Sequence, residues 1–115
     1  MHTTTLPNDL ELQDLNWQQK LKILASLFAA IAAQVPHSNQ DRQTRQFLDE
    51  AIRIIDACTV SIPDSLVLEL GAIQREWLAW KNLFPIEAAR SFMAFHARNQ
   101  SIRFLHMTEM LPEPV

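Results

Sequence analysis

One stripe of apolar residues between Ser61 and Phe84 constrains this chain more than any other feature of its sequence. Successive members of the stripe are four or three residues apart, the spacing that places side chains on one side of an α-helix. Two of the three tryptophans belong to it, and each can bury about 150–250 Å². The members are Leu66, Leu70, Ile73, Trp77, Trp80 and Phe84. We therefore expect a helix against which the other helices pack, with both tryptophans in the core.

Two earlier segments also have helical periodicity. Asn16 with Gln19 forms a capping-box pair ahead of one helix, and Pro36 ends it. Its stripe consists of Trp17, Leu21, Leu24, Phe28, Ile31 and Val35. Ser38 with Asp41 opens the next helix as a variant of the same box. The inner positions of that helix are Phe47, Leu48, Ala51, Ile52, Ile54, Ile55 and Cys58.

Composition supports an all-α fold. The 115 residues include one glycine and no tyrosine, whereas sheets use glycine in turns and favour aromatic and β-branched residues in strands. A chain of this length can bury a core as one domain. We predict a single helical domain over residues 15–111, a flexible N-terminal arm over residues 1–14, and a loose C-terminal tail over residues 112–115.

The connection at Pro85 leaves two architectures open. Proline removes a backbone donor and clashes with the preceding turn, so the helix of the Trp77 stripe must stop or kink near Phe84. If the chain reverses there, the fold is an antiparallel four-helix bundle. If it only bends, a three-helix core carries a projecting fourth helix that completes a dimer.

Several classes of function have little support in the sequence. The net charge of −3 gives no electrostatic reason for nucleic acid as a partner. The most apolar run, residues 23–33, is about half as long as a membrane span, and no targeting segment is evident. The lone cysteine, Cys58, lies among apolar residues and fits a buried thiol in a reducing compartment. We therefore expect a cytoplasmic protein that does not act on membranes or nucleic acid.

The sequence also lacks the usual spacings of catalytic and metal sites. The histidines, His2, His37, His96 and His106, form no His-x-x-x-His or Glu-x-x-His pattern, and no Cys-x-x-Cys occurs. No Gly-x-Ser-x-Gly elbow is present, and one glycine cannot build a phosphate-binding loop. We predict a protein that is not an enzyme and that uses no metal or cofactor.

The fourth helix, near residues 86–110, carries the best candidate for a functional surface. The polar run Arg98-Asn99-Gln100-Ser101 interrupts its apolar residues, and its arginines outnumber its acids. Arginine, histidine and amides beside aromatic residues are typical of protein interfaces. We expect this helix to bind another protein, one with an acidic surface, and the chain to be a homodimer. The predicted contact residues are Arg90, Phe95, His96, Arg98, Asn99, Gln100 and Arg103.

The alternative function is a bundle that binds a small hydrophobic ligand or a pigment. Phe92, His96 and Met107 on the fourth helix are the residues that would form the wall of such a site. An absorbance band or a bound small molecule in purified protein would favour this alternative. Loss of partner binding after combined Arg98→Glu and Arg103→Glu substitution, with an unchanged thermal melt, would favour the protein interface.

Overall fold

The computed structural model describes residues 9–110, and the side chains of residues 11–109. Within that range it contains five α-helices and two short 3-10 turns, and no β-strand. The helices are α1 (Asp9–Gln13), α2 (Trp17–Gln34), α3 (Asp41–Cys58), α4 (Asp64–Leu83) and α5 (Arg90–Met110). The 3-10 turns are Ser38–Gln40 and Glu87–Ala89. The predicted all-α class is confirmed.

Helix α2 begins with the capping box that the sequence predicts. The Asn16 side chain accepts a hydrogen bond from the Gln19 backbone N–H at 2.8 Å, and the Gln19 side chain accepts one from the Asn16 N–H at 2.9 Å. All six predicted stripe residues of this helix are buried: Trp17, Leu21, Leu24, Phe28, Ile31 and Val35. The helix is central because it packs against both α3 and α5.

The predicted start of the next helix is wrong in detail. Ser38 lies in a 3-10 turn, α3 begins at Asp41, and no side chain caps its backbone. Helix α4 likewise has Pro63 at its N-cap position and no capping side chain. The reason at α3 is that the Asp41 carboxylate binds a distant arginine, Arg90, instead of a local N–H.

Three polar contacts join α3 to the α4 segment. Residues that come later in α3 contact residues that come earlier in α4. Lys81 forms an ion pair with Asp49 at 2.7 Å. The Gln74 amide donates to Asp56 at 3.4 Å, nearer the end of α3. The side chain of Arg45, near the start of α3, donates to the Phe84 carbonyl at 3.4 Å.

The stripe on α4 packs into the core as expected. Its members Leu66, Leu70, Ile73, Trp77 and Phe84 are buried, and Trp80 is partly buried against the same core. The Trp77 ring meets Phe28 of α2 edge-on, with centroids 4.7 Å apart. Trp77 therefore connects α4 to the centre of the molecule.

At Pro85 the helical chain stops. Helix α4 ends at Leu83, Phe84 is extended, and the Phe84–Pro85 peptide bond is cis. Helix α5 then runs beside α2 in the same chain, where the Ser101 hydroxyl donates to the Ala25 carbonyl at 2.6 Å. The last long helix thus buries one of its sides within this chain.

At the N-terminal end, a helix lies inside the segment that was predicted to be a flexible arm. The expected flexible arm, residues 1–14, overlaps α1, whose Leu12 is only 2% exposed and belongs to the core. Residues 1–8 and the predicted tail, 112–115, lie outside the described residues. Within the described range, no helix is long and apolar enough to cross a membrane.

The mid-helix glycine has no close helix crossing around it. A Cβ at Gly71 would meet only the end of the Arg75 side chain among the described atoms, at an ordinary 3.5 Å. No close crossing of two helices therefore lies at Gly71 in the described part of the chain.

Candidate functional site

Helix α5 has apolar side chains on two opposite sides. The inner side packs against the core with Met93, Ala94, Ala97, Phe104 and Met107. On the other side, Phe92 is 65% exposed, Phe95 is 56% exposed and Ile102 is 48% exposed. Single exposed apolar residues are common on proteins, but several along one helix mark a surface that another molecule can cover.

The exposed residues follow a regular spacing, and we call them the outer face of α5. It consists of Phe92, Phe95, Asn99, Ile102 and His106, which are three, four, three and four residues apart. All five residues are exposed, and the rings of Phe92 and Phe95 each contact the His96 ring on one side. This spacing is that of the contact positions of a coiled coil, so the outer face can receive a second helix.

Basic residues border the outer face on both edges. Arg98 lies on one edge, and His96 and Arg103 lie on the edge nearer to α4. Arg98 is exposed and forms no ion pair within residues 9–110. Arg103 forms an ion pair with Glu69 of α4 at 2.8 Å, with its side chain 59% exposed. Of these basic residues, Arg103 is paired with Glu69 and His96 lies near Glu76, so Arg98 is the bordering arginine that remains without an ion pair among the described residues.

Arg90, the first of the predicted contact residues, is buried and binds parts of its own chain. Its guanidinium donates two hydrogen bonds to the Asp41 carboxylate, each 2.8 Å long, and one of 2.8 Å to the Val35 carbonyl. It also pairs with Glu87 at 2.8 Å and lies 5.7 Å from the centre of the Phe84 ring. Arg90 thus joins the end of α2 to the starts of α3 and α5.

The Arg90 cluster shifts the ionisation of its partners. Hydrogen bonds from the guanidinium to the carboxylate hold the pKa of Asp41 below its ordinary value. The same cause lowers the pKa of Glu87, and the two carboxylates in turn raise the pKa of Arg90. All three groups stay charged near neutral pH, so the cluster is a fixed part of the fold.

Three more of the predicted contact residues on α5, namely His96, Gln100 and Arg103, face α4. The Trp77 indole N–H donates to the Gln100 side chain at 3.4 Å, and Gln100 is only 5% exposed. The His96 ring lies 6.0 Å from the ring of Trp80, and its Nδ1 is 3.9 Å from Glu76. Arg103 adds its ion pair with Glu69 to these contacts between α5 and α4. These side chains hold α5 against α4.

The remaining predicted residues, Phe95, Arg98 and Asn99, are exposed on or beside the outer face. Sequence reasoning missed Phe92, Ile102 and His106 as contact residues of that face. The signal was present, since these residues continue the three-and-four spacing from Phe95. This spacing was obscured because the four consecutive polar residues 98–101 look like one polar patch in the sequence. In the helix they point to different sides.

The residues proposed for a ligand wall do not enclose one site. Phe92 and Met107 are fifteen positions apart on a continuous helix, a distance of about 22 Å along its axis. Phe92 is mostly exposed, whereas Met107 is buried in the core. A small flat ligand could not touch both.

The described residues offer little for covalent or metal chemistry. Burial raises the pKa of the Cys58 thiol to about 12, so the nucleophilic thiolate is scarce at neutral pH. Between residues 9 and 110, no group of three or more His, Cys, Asp or Glu side chains could hold a metal ion.

Comparison of the chain with protein-family models, with curated proteins and with solved structures finds no match. The function must therefore be inferred from the geometry of the chain itself.

Proposed function

We propose that this protein is a non-enzymatic interaction module, an adaptor, regulator or assembly factor, that binds an acidic amphipathic helix of another protein through the outer face of α5. The observation that carries the proposal is the exposed stripe from Phe92 to His106, which has coiled-coil spacing and no covering element within residues 9–110. The two phenylalanines and Ile102 are the apolar anchors of the complex. Aromatic anchors of this kind supply much of the binding energy of protein interfaces.

The charges beside the stripe favour a partner that is acidic. In helix pairs, residues that border the contact stripe choose the partner by their charge. Arg98 borders one edge of the outer face, and Arg103 and His96 border the other. A partner helix with glutamate or aspartate at its bordering positions would pair with Arg98, whereas Arg103 is already paired with Glu69.

The same charges disfavour a second copy of α5 as the occupant. In a parallel pair, Arg98 would face Arg103 of the second copy, because bordering residues five positions apart meet across such a pair. In an antiparallel pair centred on Asn99, Arg98 would face Arg98 of the second copy. Both arrangements place like charges together, which disfavours the homodimer expected from the sequence. A second copy of the chain is therefore the competing occupant that the experiments must distinguish from an acidic partner.

The arrangement of the helices that supports this proposal is an antiparallel four-helix bundle, α2 to α5. The contacts between α3 and α4, and those of α5 with α2, support it. In this architecture α5 is held on its inner side, which leaves the outer face available. We retain a cytoplasmic location as a prediction, supported by the free, buried thiol of Cys58.

A direct test uses two synthetic helices of three heptads each, with leucine at the a and d positions. One carries glutamate at the e and g positions, and the other carries lysine there. Fluorescence anisotropy of the labelled peptides measures their binding to the whole chain. We expect the acidic peptide to bind and the basic one to fail. Phe95→Ala and Arg98→Glu should each weaken binding of the acidic peptide by about tenfold or more.

Matched controls come from the other helices. Leu68→Ala removes a leucine of α4 that is 86% exposed, and Arg42→Glu reverses an exposed charge on α3. Both variants should bind the acidic peptide as the unchanged protein does. Equal binding of both peptides, no binding of either, or equal loss in the controls and the α5 variants would contradict the proposal.

Light scattering tests the competing occupant. We expect a monomer at micromolar concentrations. A stable dimer that Phe95→Asp converts to a monomer would show that a second copy covers the outer face, and the acidic-partner proposal would then be wrong.

A further inference from the structure

A pocket of about 510 Å³ lies where α1, the start of α2 and the end of α3 meet, far along the chain from the outer face of α5. Its apolar walls come from Leu12, Leu15, Ala57 and Val60, and its polar groups include Lys20 and Ser61. Its volume falls within the range of about 300–1,000 Å³ that is usual for small-molecule sites.

Lys20 is the unusual member of this pocket because its charged side chain is buried. The residue is only 6% exposed. Its Nζ donates to the Ala57 carbonyl, in the last turn of α3, over a long 3.4 Å. No carboxylate among the side chains of residues 11–109 forms an ion pair with it. An ammonium group removed from water normally requires an anion to compensate its lost hydration.

The carbonyl at the end of α3 compensates only part of that cost. The C-terminus of a helix carries roughly half a negative charge, shared over its last free carbonyls. An ammonium also has three N–H donors, and one weak hydrogen bond leaves two of them for another acceptor. The pocket beside Lys20 therefore suits a group with a full negative charge.

The rim of the pocket adds an apolar requirement. Val60, in the turn between α3 and α4, is 89% exposed, although it lines the pocket together with the partly buried Leu15. A ligand with an alkyl chain would cover both side chains. The hydroxyl of Ser61, which lines the same pocket, can donate a hydrogen bond to an anionic oxygen.

We propose that this pocket binds a small monocarboxylate with a short alkyl chain. The carboxylate pairs with the Lys20 ammonium, and the alkyl chain lies against Leu15 and Val60. One buried positive charge matches one negative charge on the ligand. The site shares no residue with the outer face of α5, so it stands or falls independently of the proposed protein partner.

The test is isothermal titration of the whole chain with octanoate, and with octanol as the uncharged ligand of similar shape. We expect octanoate to bind saturably and more tightly than octanol. Lys20→Met retains the apolar part of the side chain and should weaken octanoate binding about 10- to 100-fold, with little effect on octanol. Lys20→Arg should restore most of the affinity for octanoate.

Val60→Ser is a second variant that leaves the fold intact, because the side chain is almost fully exposed. It should weaken octanoate and octanol alike, since it removes apolar contact and no charge. The proposal is wrong if octanoate does not bind saturably, or if Lys20→Met and Val60→Ser, both folded by circular dichroism, bind octanoate as the unchanged protein does.

Discussion

The two sides of α5 are built from similar residues but lie in opposite surroundings. On the inner side, Phe104 is fully buried, with its ring 5.5 Å from that of Phe28. On the outer side, Phe95 is more than half exposed. Helix α3 offers the ordinary pattern, since its exposed positions carry charged side chains such as Asp49 and Arg42. Helix α5 therefore carries more apolar surface than its own fold buries.

Substitutions of the two phenylalanines should differ more in stability than any other pair of variants. Phe104→Ala should lower the free energy of unfolding by about 3–5 kcal/mol, because it removes a buried ring and leaves a cavity. Phe95→Ala should change it by no more than about 0.5 kcal/mol. Urea unfolding followed by circular dichroism measures both. Equal losses would mean that the outer face is part of the core.

The next comparison uses the two kinds of arginine on α5. Arg90→Met should lower the melting temperature by about 10 °C, because it leaves the Val35 carbonyl and the Asp41 carboxylate without their partner. Arg98→Met, on the exposed edge, should leave the melting temperature within about 2 °C. Scanning calorimetry of both variants measures their melting temperatures. Arg90→Met with an unchanged melt would show that Arg90 is not a structural residue.

A smaller effect is expected at the contact between α2 and α5. Ser101→Ala removes a buried hydrogen bond to the Ala25 carbonyl and should cost about 1 kcal/mol in the free energy of unfolding. Ser91→Ala changes an exposed serine in the same helix and should be nearly neutral. Chemical unfolding of the two variants side by side measures the difference. If both are neutral, the helices are not held together by this bond.

The smallest effect concerns acid. The pKa of Asp41 is lowered in the folded protein, so its pairing with Arg90 stabilises the fold above the ordinary carboxyl pKa of 3.8 and is lost as the pH falls below it. Asp41→Asn should therefore melt about 3 °C below the unchanged protein at pH 6, and the gap should close toward pH 2.5. Glu87→Gln, at an exposed carboxylate, should show a smaller gap. A gap that stays constant with pH would rule out the ion pair as its cause.

The periodic parts of the fold could be predicted from sequence because they depend on local spacing. The stripes of α2 and α4 are buried as their spacing indicated, except that Trp80 is partly buried, and the capping box at Asn16 is present. A residue's neighbours three and four positions away are enough to place it on one side of a helix. No knowledge of the other helices is needed for such predictions.

The candidate site was harder to predict because its residues are sorted by contacts between helices. Arg90 and Gln100 resemble surface residues in sequence, yet their partners, Asp41 and Trp77, come from other helices. The same limit explains the start of α3, where a distant guanidinium takes the carboxylate that could have capped the helix. Polar residues on α5 thus have three separate roles: Arg90 joins three helices, Gln100 contacts α4, and Arg98 is exposed beside the outer face. The spacing of residues along the sequence does not distinguish these roles.

The Arg90 cluster has a consequence for where this chain can be lengthened. It joins the end of α2, the start of α3 and the start of α5, so the turns at residues 35–41 and 84–90 must keep their lengths. The turn between α3 and α4 has no such guanidinium, and Thr59 and Val60 in it are exposed. Extra residues inserted between these two positions should therefore cost less stability than extra residues in the two turns that the cluster joins. They would interrupt the hydrogen bonds from the Ser61 and Ile62 N–H groups to the Cys58 carbonyl and move Val60 away from the proposed pocket.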